Sequence, residues 1–175
     1  RSKEENAQKI YARIMKFFVI ACCFMFLFIS LYIDVFAWFF IAIKKAAWVE
    51  GLQIVPLLAL GNIFLGIYYN LSIWYKLKHK NMTGAMITLS GAVITIVLNI
   101  LLIPKLHYLG AAIATFCCYL FMMIVSYKLG QKYYPVPYAR KKLIAYLVIV
   151  VLIYGLHEGL IYLWANRWFN LATAT

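Results

Sequence analysis

Five long apolar stretches, separated by short polar connections, most constrain what this chain of 175 residues can fold into. The hydrocarbon core of a bilayer is about 30 Å thick, so a helix rising about 1.5 Å per residue needs roughly 20 apolar residues to cross it. A helix also pairs its backbone N–H and C=O groups internally, as lipid requires. The sequence therefore predicts spans over Ile14–Ile33, Ile54–Tyr75, Thr83–Ile103, Leu109–Leu129 and Leu143–Leu163.

Composition supports the same class of fold. Hydrophobic residues form 66% of the chain and charged residues 13%, well below the roughly one quarter that is usual in soluble domains. We predict an all-α, polytopic transmembrane helix bundle of about five spans. Both ends are interpreted as cut, because the chain begins at Arg1 without a methionine and an apolar stretch over Trp168–Ala174 would open a truncated sixth span.

The whole chain, 1–175, is predicted to form a single membrane-domain fragment. Its predicted parts are a cytoplasmic lead-in over 1–9, four helices over 10–130, a cytoplasmic loop over 131–142, and peripheral, incomplete last helices over 143–175. The last span has the least regular pattern. Its helix is expected to stop near Tyr154, because glycine, histidine and glutamate residues follow over 155–159.

The distribution of basic residues predicts an orientation. The net charge is +12, and if the amino end is cytoplasmic, 13 of the 17 Lys and Arg residues lie on the inner side. This asymmetry is the positive-inside pattern of bacterial and other membrane proteins. It accounts for the net charge without a nucleic-acid partner, and it predicts contact with anionic membrane lipids.

The connections between the spans are too short to hold an extramembrane domain. Pro56 fits the first turn of the second helix. Pro104 is expected to end the third helix at Ile103, since proline disfavours helical backbone in the residue before it. The apolar stretch Asp34–Val49 predicts an outer-face turn with an interfacial helix. Aromatic residues near span ends, Trp74 among them, are predicted to lie at headgroup depth.

Small and polar residues fall on one face of three successive spans. At about 100° per residue, spacings of three and four confine such residues to a wedge of about 80°. In the third span these residues are Gly84, Thr88, Gly91, Thr95 and Asn99. The second span has Asn62, Gly66, Tyr69 and Asn70, and the fourth has Ala111, Thr115, Cys118, Met122 and Ser126.

Two interpretations of these faces stay open. Small residues let helices approach closely, and Ser, Thr or Asn then form hydrogen bonds between helices. Alternatively, the polar members line a water-filled cavity where amides and hydroxyls meet sugar hydroxyls. The cavity candidates are Asn62, Tyr69, Thr88, Thr95, Asn99 and Thr115. Gly61, Gly66 and Pro56 are candidate flexing points in the second span.

Two basic residues near the inner end of the first span admit two interpretations. Arg13 and Lys16 are three residues apart and share one helix face. Their charged ends can snorkel to the lipid headgroups. They can also attract the phosphates of an anionic lipid substrate.

The sequence offers little support for catalysis or for a cofactor. His157 and Glu158 are adjacent on a helix, where neighbouring side chains do not face each other. The chain contains no serine elbow, no zinc-ligand spacing and no glycine-rich phosphate loop. We predict that the protein is not an enzyme and uses no metal or cofactor.

Several motifs resemble the carboxy-terminal half of bacterial polysaccharide and O-antigen flippases, in the multidrug/oligosaccharidyl-lipid/polysaccharide exporter superfamily. They are Glu50-Gly51, Val55-Pro56, Tyr-Tyr-Asn-Leu-Ser at 68–72, Thr95…Asn99…Ile103-Pro104, and Gly110-Ala111-Ala112. The resemblance extends from about Tyr11 to Trp168. The motifs are individually degenerate and specific in combination.

The resemblance implies a two-lobed transporter of about 14 helices around a central cavity, with this chain supplying one lobe from roughly the ninth helix onward. Such proteins carry undecaprenyl-diphosphate-linked oligosaccharides, the repeat units of O-antigen or capsule in lipopolysaccharide and polysaccharide biosynthesis. They carry them across the bacterial inner (cytoplasmic) membrane by alternating access. The resemblance also implies that transport is coupled to H+ or Na+ and that the protein contacts polysaccharide-assembly proteins. Basic residues that hold the diphosphate would lie in the amino-terminal lobe.

Two other functions remain as alternatives. A cation-coupled multidrug exporter of the same superfamily would need an acidic residue at the middle of the membrane in the other lobe. A membrane-embedded polysaccharide polymerase or transferase would need a catalytic loop, which the connections of this chain are too short to provide.

Overall fold

A computed structural model of the chain describes residues 2–43 and 50–173, and every regular element in these ranges is helical. A 3-10 turn over Glu50–Ile54 precedes the third helix. The helices are α1 (Ser2–Leu31), α2 (Ile33–Ala42), α3 (Val55–Leu71), α4 (Ile73–Leu77), α5 (Asn81–Tyr133) and α6 (Arg140–Thr173).

Five segments are long and apolar enough to cross a membrane, which confirms the predicted all-α polytopic bundle. They are Asn6–Leu31, Gly51–Leu77, Asn81–Leu106, Tyr108–Tyr133 and Arg140–Leu163. The chain is therefore a multi-pass helical membrane protein, with spans that lie close to the predicted ones.

The reversal between the third and fourth spans lies at His107, and the prediction that Pro104 ends the third helix is wrong. The first arm of α5 runs through Pro104 to Leu106. His107 then adopts a non-helical backbone, with φ 49° and ψ −126°, and the second arm begins at Tyr108. A proline inside a membrane helix removes one backbone donor, and local adjustment or neighbouring groups accommodate the loss.

The two arms of α5 pack closely as a helical hairpin. A Cβ atom at Gly110 would lie 2.6 Å from the backbone carbon and oxygen of Leu102. A Cβ atom at Gly91 would lie 2.8 Å from Met122 Sδ, and the Cys118 thiol donates a hydrogen bond of 3.3 Å to the Gly91 carbonyl. The packing interpretation of the small-residue faces therefore holds for these positions.

α3 occupies the middle of the described bundle. It packs against α5 on one side and α1 on the other, and α1 also packs against α6. One core joins Met15, Val19, Cys23 and Phe26 of α1 to Ile63, Ile67 and Leu71 of α3 and Val150 of α6. A second core gathers Tyr68, Trp74, Ile87, Cys118, Met122, Tyr134 and Val136.

α6 is a single helix from Arg140 to Thr173, so the expectation that it stops near Tyr154 is wrong. Its two glycines cost about 1 kcal/mol each in helix propensity. Opening the backbone in lipid costs more, because no water replaces the lost hydrogen bonds. The stretch from Trp168, expected to open a sixth span, continues α6 as far as Thr173.

The connection between the first and second spans begins with a short helix. α2 follows a break at Tyr32, and none of its residues is buried. Its position at the membrane interface stays a prediction, and the part of this stretch over 44–49 lies outside the described residues. Pro56 stands in the first turn of α3 as predicted, where it removes no intrahelical hydrogen bond, and its role as a flexing point stays a prediction.

We expect Gly110→Ala to destabilise the bundle, because its new methyl group would meet backbone atoms that cannot rotate away. Overpacking of this kind costs roughly 1–3 kcal/mol. Gly155→Ala is the matched control, since a Cβ atom there meets nothing within 4 Å. Unfolding in mixed micelles, followed by circular dichroism, measures both variants. Equal stability of the two would contradict the close approach of the arms.

Candidate functional site

Two recesses follow one another along the contact between α1 and the α3–α4 segment, and together, here called the α1–α3 groove, they contain Asn62, Tyr69 and Asn70. The larger recess, here called the apolar chamber, has a volume of about 470 Å³. The α1 side is formed by Phe18, Ala21, Cys22, Met25, Phe26 and Ile29, and the α3 side by Val55, Leu58, Ala59, Asn62 and Ile63. Asn62 is thus the polar group in an otherwise apolar lining.

The recess nearer the start of α1 carries more polar groups than the larger one. This polar chamber has a volume of about 270 Å³. It is lined by Tyr11 and Ile14 of α1 and by Tyr69, Asn70, Ser72, Ile73 and Lys76 of α3 and α4. Its lining therefore offers amide, hydroxyl and ammonium groups. A ligand with a polar head and an apolar chain would fit with its head in the polar chamber and its chain in the apolar chamber.

Phe18 and Gly66 lie at the boundary between the two chambers. A Cβ atom at Gly66 would be 2.5 Å from Phe18 Cζ and 2.6 Å from Phe18 Cε1. The aromatic ring therefore lies directly over the α3 backbone, in space that only glycine leaves open. Gly66 divides Asn62 on one side from Tyr69 and Asn70 on the other.

The amides in the groove keep hydrogen-bonding capacity. Asn62 Nδ2 donates 3.0 Å to the Leu58 carbonyl, and Asn70 Nδ2 donates 3.1 Å to the Gly66 carbonyl. Each amide has two donors and an acceptor oxygen with two lone pairs. These bonds hold the side chains against their own helix and leave one donor and the oxygen for a ligand.

The other four cavity candidates lie on α5 and line neither chamber. Thr95 and Thr115 each donate to the carbonyl four residues earlier on their own arm. Thr88 does the same to Gly84 and shares a hydrogen bond of 3.1 Å with the Tyr68 hydroxyl. Asn99 Oδ1 is buried and accepts no hydrogen bond within the described part of the chain. The structure brings together Asn62 and Tyr69 and leaves these four elsewhere.

Arg13 and Lys16 lie together, as predicted, but away from this groove. They line a separate groove between α1 and the segment before α6. At about 100° per residue, their face of α1 is nearly opposite the one that carries Phe18, Cys22 and Met25. The basic pair and the polar stripe of α3 therefore do not form one site in this chain.

Two aromatic anchors were not identified as such from the sequence. Trp74 is 2% exposed, its ring stacks on Tyr133, and its Nε1 donates 3.4 Å to Ser126 Oγ. Ser126 and Gly130 on the second arm of α5 provide a buried pocket for the indole, so Trp74 faces other helices, and its position at headgroup depth stays a prediction. Tyr68 is equally buried, and no periodicity distinguishes it from its exposed neighbour Tyr69.

The described residues contain no group of three or more His, Cys, Asp or Glu side chains placed to hold a metal ion. Comparison with protein-family models, with curated proteins and with solved structures found no match for this chain. The geometry of the α1–α3 groove is therefore the main structural basis for a functional proposal.

We expect Gly66→Ala to push the Phe18 ring out of its position and to reshape both chambers, because the new methyl group and the ring cannot share that space. Because the Phe18 ring can rotate away, we expect the loss in the free energy of unfolding to be at the low end of the overpacking range, about 1 kcal/mol. Phe18→Leu, combined with Gly66→Ala, should restore most of that stability. If the second substitution restores nothing in mixed-micelle unfolding, the contact does not divide the groove as described.

Proposed function

We propose that this chain forms one lobe of a transporter that moves an undecaprenyl-diphosphate-linked oligosaccharide across the bacterial inner membrane. The observation that supports it best is the α1–α3 groove, in which Asn62, Tyr69 and Asn70 follow one another on a single face of α3. The resemblance of this region to polysaccharide flippases supports the same assignment.

The physical demands of such a cargo agree with this groove. Sugar hydroxyls lose several kcal/mol each if they enter hydrocarbon without a hydrogen-bonding partner. Amides with a free donor and acceptor can replace, one at a time, the hydrogen bonds that the sugar hydroxyls make to water. The lipid chain of the cargo needs only apolar contact, which the larger chamber provides along α1.

Alternating access requires contacts that can form and break between helices. The Phe18 ring over Gly66 is such a contact, because an aromatic side chain can rotate away from a glycine without moving the backbone. In this proposal it separates the two chambers in one state and joins them in the other. The second lobe would close the groove and contribute the basic residues that hold the diphosphate. Coupling to H+ or Na+ and contact with polysaccharide-assembly proteins belong to the same proposal.

Asn62→Leu should lower export of polysaccharide roughly tenfold, because it removes one or two neutral hydrogen bonds from the α3 side of the chamber to passing sugar hydroxyls, together about 1.5 kcal/mol. The matched control is Ser90→Leu. Ser90 is also exposed and also donates to the carbonyl four residues earlier, but it lies on α5 outside both chambers.

The measurement is surface polysaccharide in a bacterial strain that lacks its own flippase and carries the complete protein at matched expression. Inward-facing lipid-linked sugar should accumulate with Asn62→Leu and not with Ser90→Leu. Normal export by the Asn62 variant would exclude the groove from the transport path.

The orientation that this function requires can be tested at two exposed histidines, which lie at opposite ends of the first arm of α5. In a version without the native cysteines, His107→Cys should react with a membrane-impermeant maleimide on intact cells. His79→Cys should react only after lysis, because the positive-inside pattern places the Lys76–Lys80 turn in the cytoplasm. The opposite labelling pattern would show that the predicted orientation is inverted.

A further inference from the structure

Arg13 and Lys16 line an open groove at the surface of the bundle. The groove has a volume of about 430 Å³ and lies between the first half of α1 and the segment that leads into α6. Its lining consists of Ala12, Arg13, Lys16, Phe17, Pro137 and Ala139. Two cations thus converge on one recess whose other residues are small or apolar.

No negative charge within the described lining balances these cations. The lining residues include no carboxylate, and neither Arg13 nor Lys16 takes part in a hydrogen bond or ion pair among the described side chains. Burial raises the pKa of the neighbouring Tyr138 to about 12, so its hydroxyl stays neutral at physiological pH. The exposed Arg140, which begins α6, adds further positive potential nearby.

An apolar stripe continues from the groove along α1. Phe17, Ile20 and Phe24 are 63%, 40% and 70% exposed, respectively. At about 100° per residue, they fall with Arg13 and Lys16 inside a wedge of about 100°. One face of α1 therefore carries two cations at one end and exposed apolar side chains over the following turns.

We infer that this face of α1 binds an anionic phospholipid, with its phosphate between Arg13 and Lys16 and an acyl chain along Phe17, Ile20 and Phe24. Phosphate oxygens accept the charge-assisted hydrogen bonds that a guanidinium and an ammonium donate. The acyl chain covers a stripe that no helix of this chain covers in the described structure. A free phosphate ion would use the cations and leave the stripe unused.

This lipid is distinct from the proposed cargo. The cargo groove lies on the nearly opposite face of α1, so the two sites can be occupied at once. The phospholipid would hold α1 against the 134–139 segment, and its binding does not depend on transport activity.

Native mass spectrometry of the complete purified protein, titrated with phosphatidylglycerol in neutral detergent, tests the site. Each basic residue near an anionic lipid contributes about a fivefold gain in affinity, so Arg13→Gln with Lys16→Gln should weaken binding roughly 30-fold. Lys128→Gln with Lys132→Gln removes the same net charge at exposed positions on the second arm of α5 and should leave binding nearly unchanged. The charge-preserving pair Arg13→Lys with Lys16→Arg should retain most of the affinity.

Three further probes distinguish the source of the phosphate. Phosphatidylcholine and inorganic phosphate should each bind much more weakly than phosphatidylglycerol, and undecaprenyl diphosphate should not displace phosphatidylglycerol preferentially. Equal binding of phosphatidylcholine would show that Arg13 and Lys16 do not select an anionic headgroup. Competition by inorganic phosphate would indicate a site for a free ion. Preferential displacement by undecaprenyl diphosphate would assign the groove to the cargo. Each of these results, or equal binding by the two Gln pairs with circular dichroism unchanged, would overturn the inference.

Discussion

Close approach of helices at glycine is the interaction on which the rest of this structure depends. In a bilayer, an apolar side chain gains little by leaving lipid, so helices associate through dense packing and occasional hydrogen bonds. The arms of α5 meet where Gly110 lies on the Leu102 backbone and where Gly91 lies on Met122. Gly130 leaves space for the Trp74 ring, which joins α4 to the second arm. α3 then packs on this hairpin, and α1 packs on α3.

The same kind of contact shapes the candidate site. At Gly66 the partner is an aromatic side chain, which can rotate, whereas at Gly110 it is backbone, which cannot. A side-chain rotation can therefore relieve the contact at Gly66, whereas the contact at Gly110 can be relieved only by moving the two arms apart. The polar groups of the hairpin and the groove also differ. Thr95 and Thr115 use their single hydroxyl donor on their own helix, whereas Asn62 and Asn70, which also bond to their own helix, each keep a second donor and the amide oxygen.

α1 separates two kinds of chemistry by its faces. One face shares the groove with α3, a second is buried in the core through Met15 and Val19, and a third carries Arg13 and Lys16. A single helix can present a groove face, a core face and a basic face at once, because about 100° per residue distributes neighbouring residues around the axis. Net charge and composition do not reveal this division, since both average over all faces.

Sequence alone was enough to predict the five spans, the polar stripe of α3 and the shared face of Arg13 and Lys16, because length, hydropathy and helical period are local properties. Which stripes share a groove depends instead on how the helices pack. The tertiary structure assigned Asn62 and Tyr69 to one groove and Thr95 and Asn99 to α5, and it buried Trp74. The chain reversal between the third and fourth spans lies at His107, whereas the sequence predicted it at Pro104. These outcomes depend on which distant surface each face meets, and that is set by packing between residues far apart in the chain.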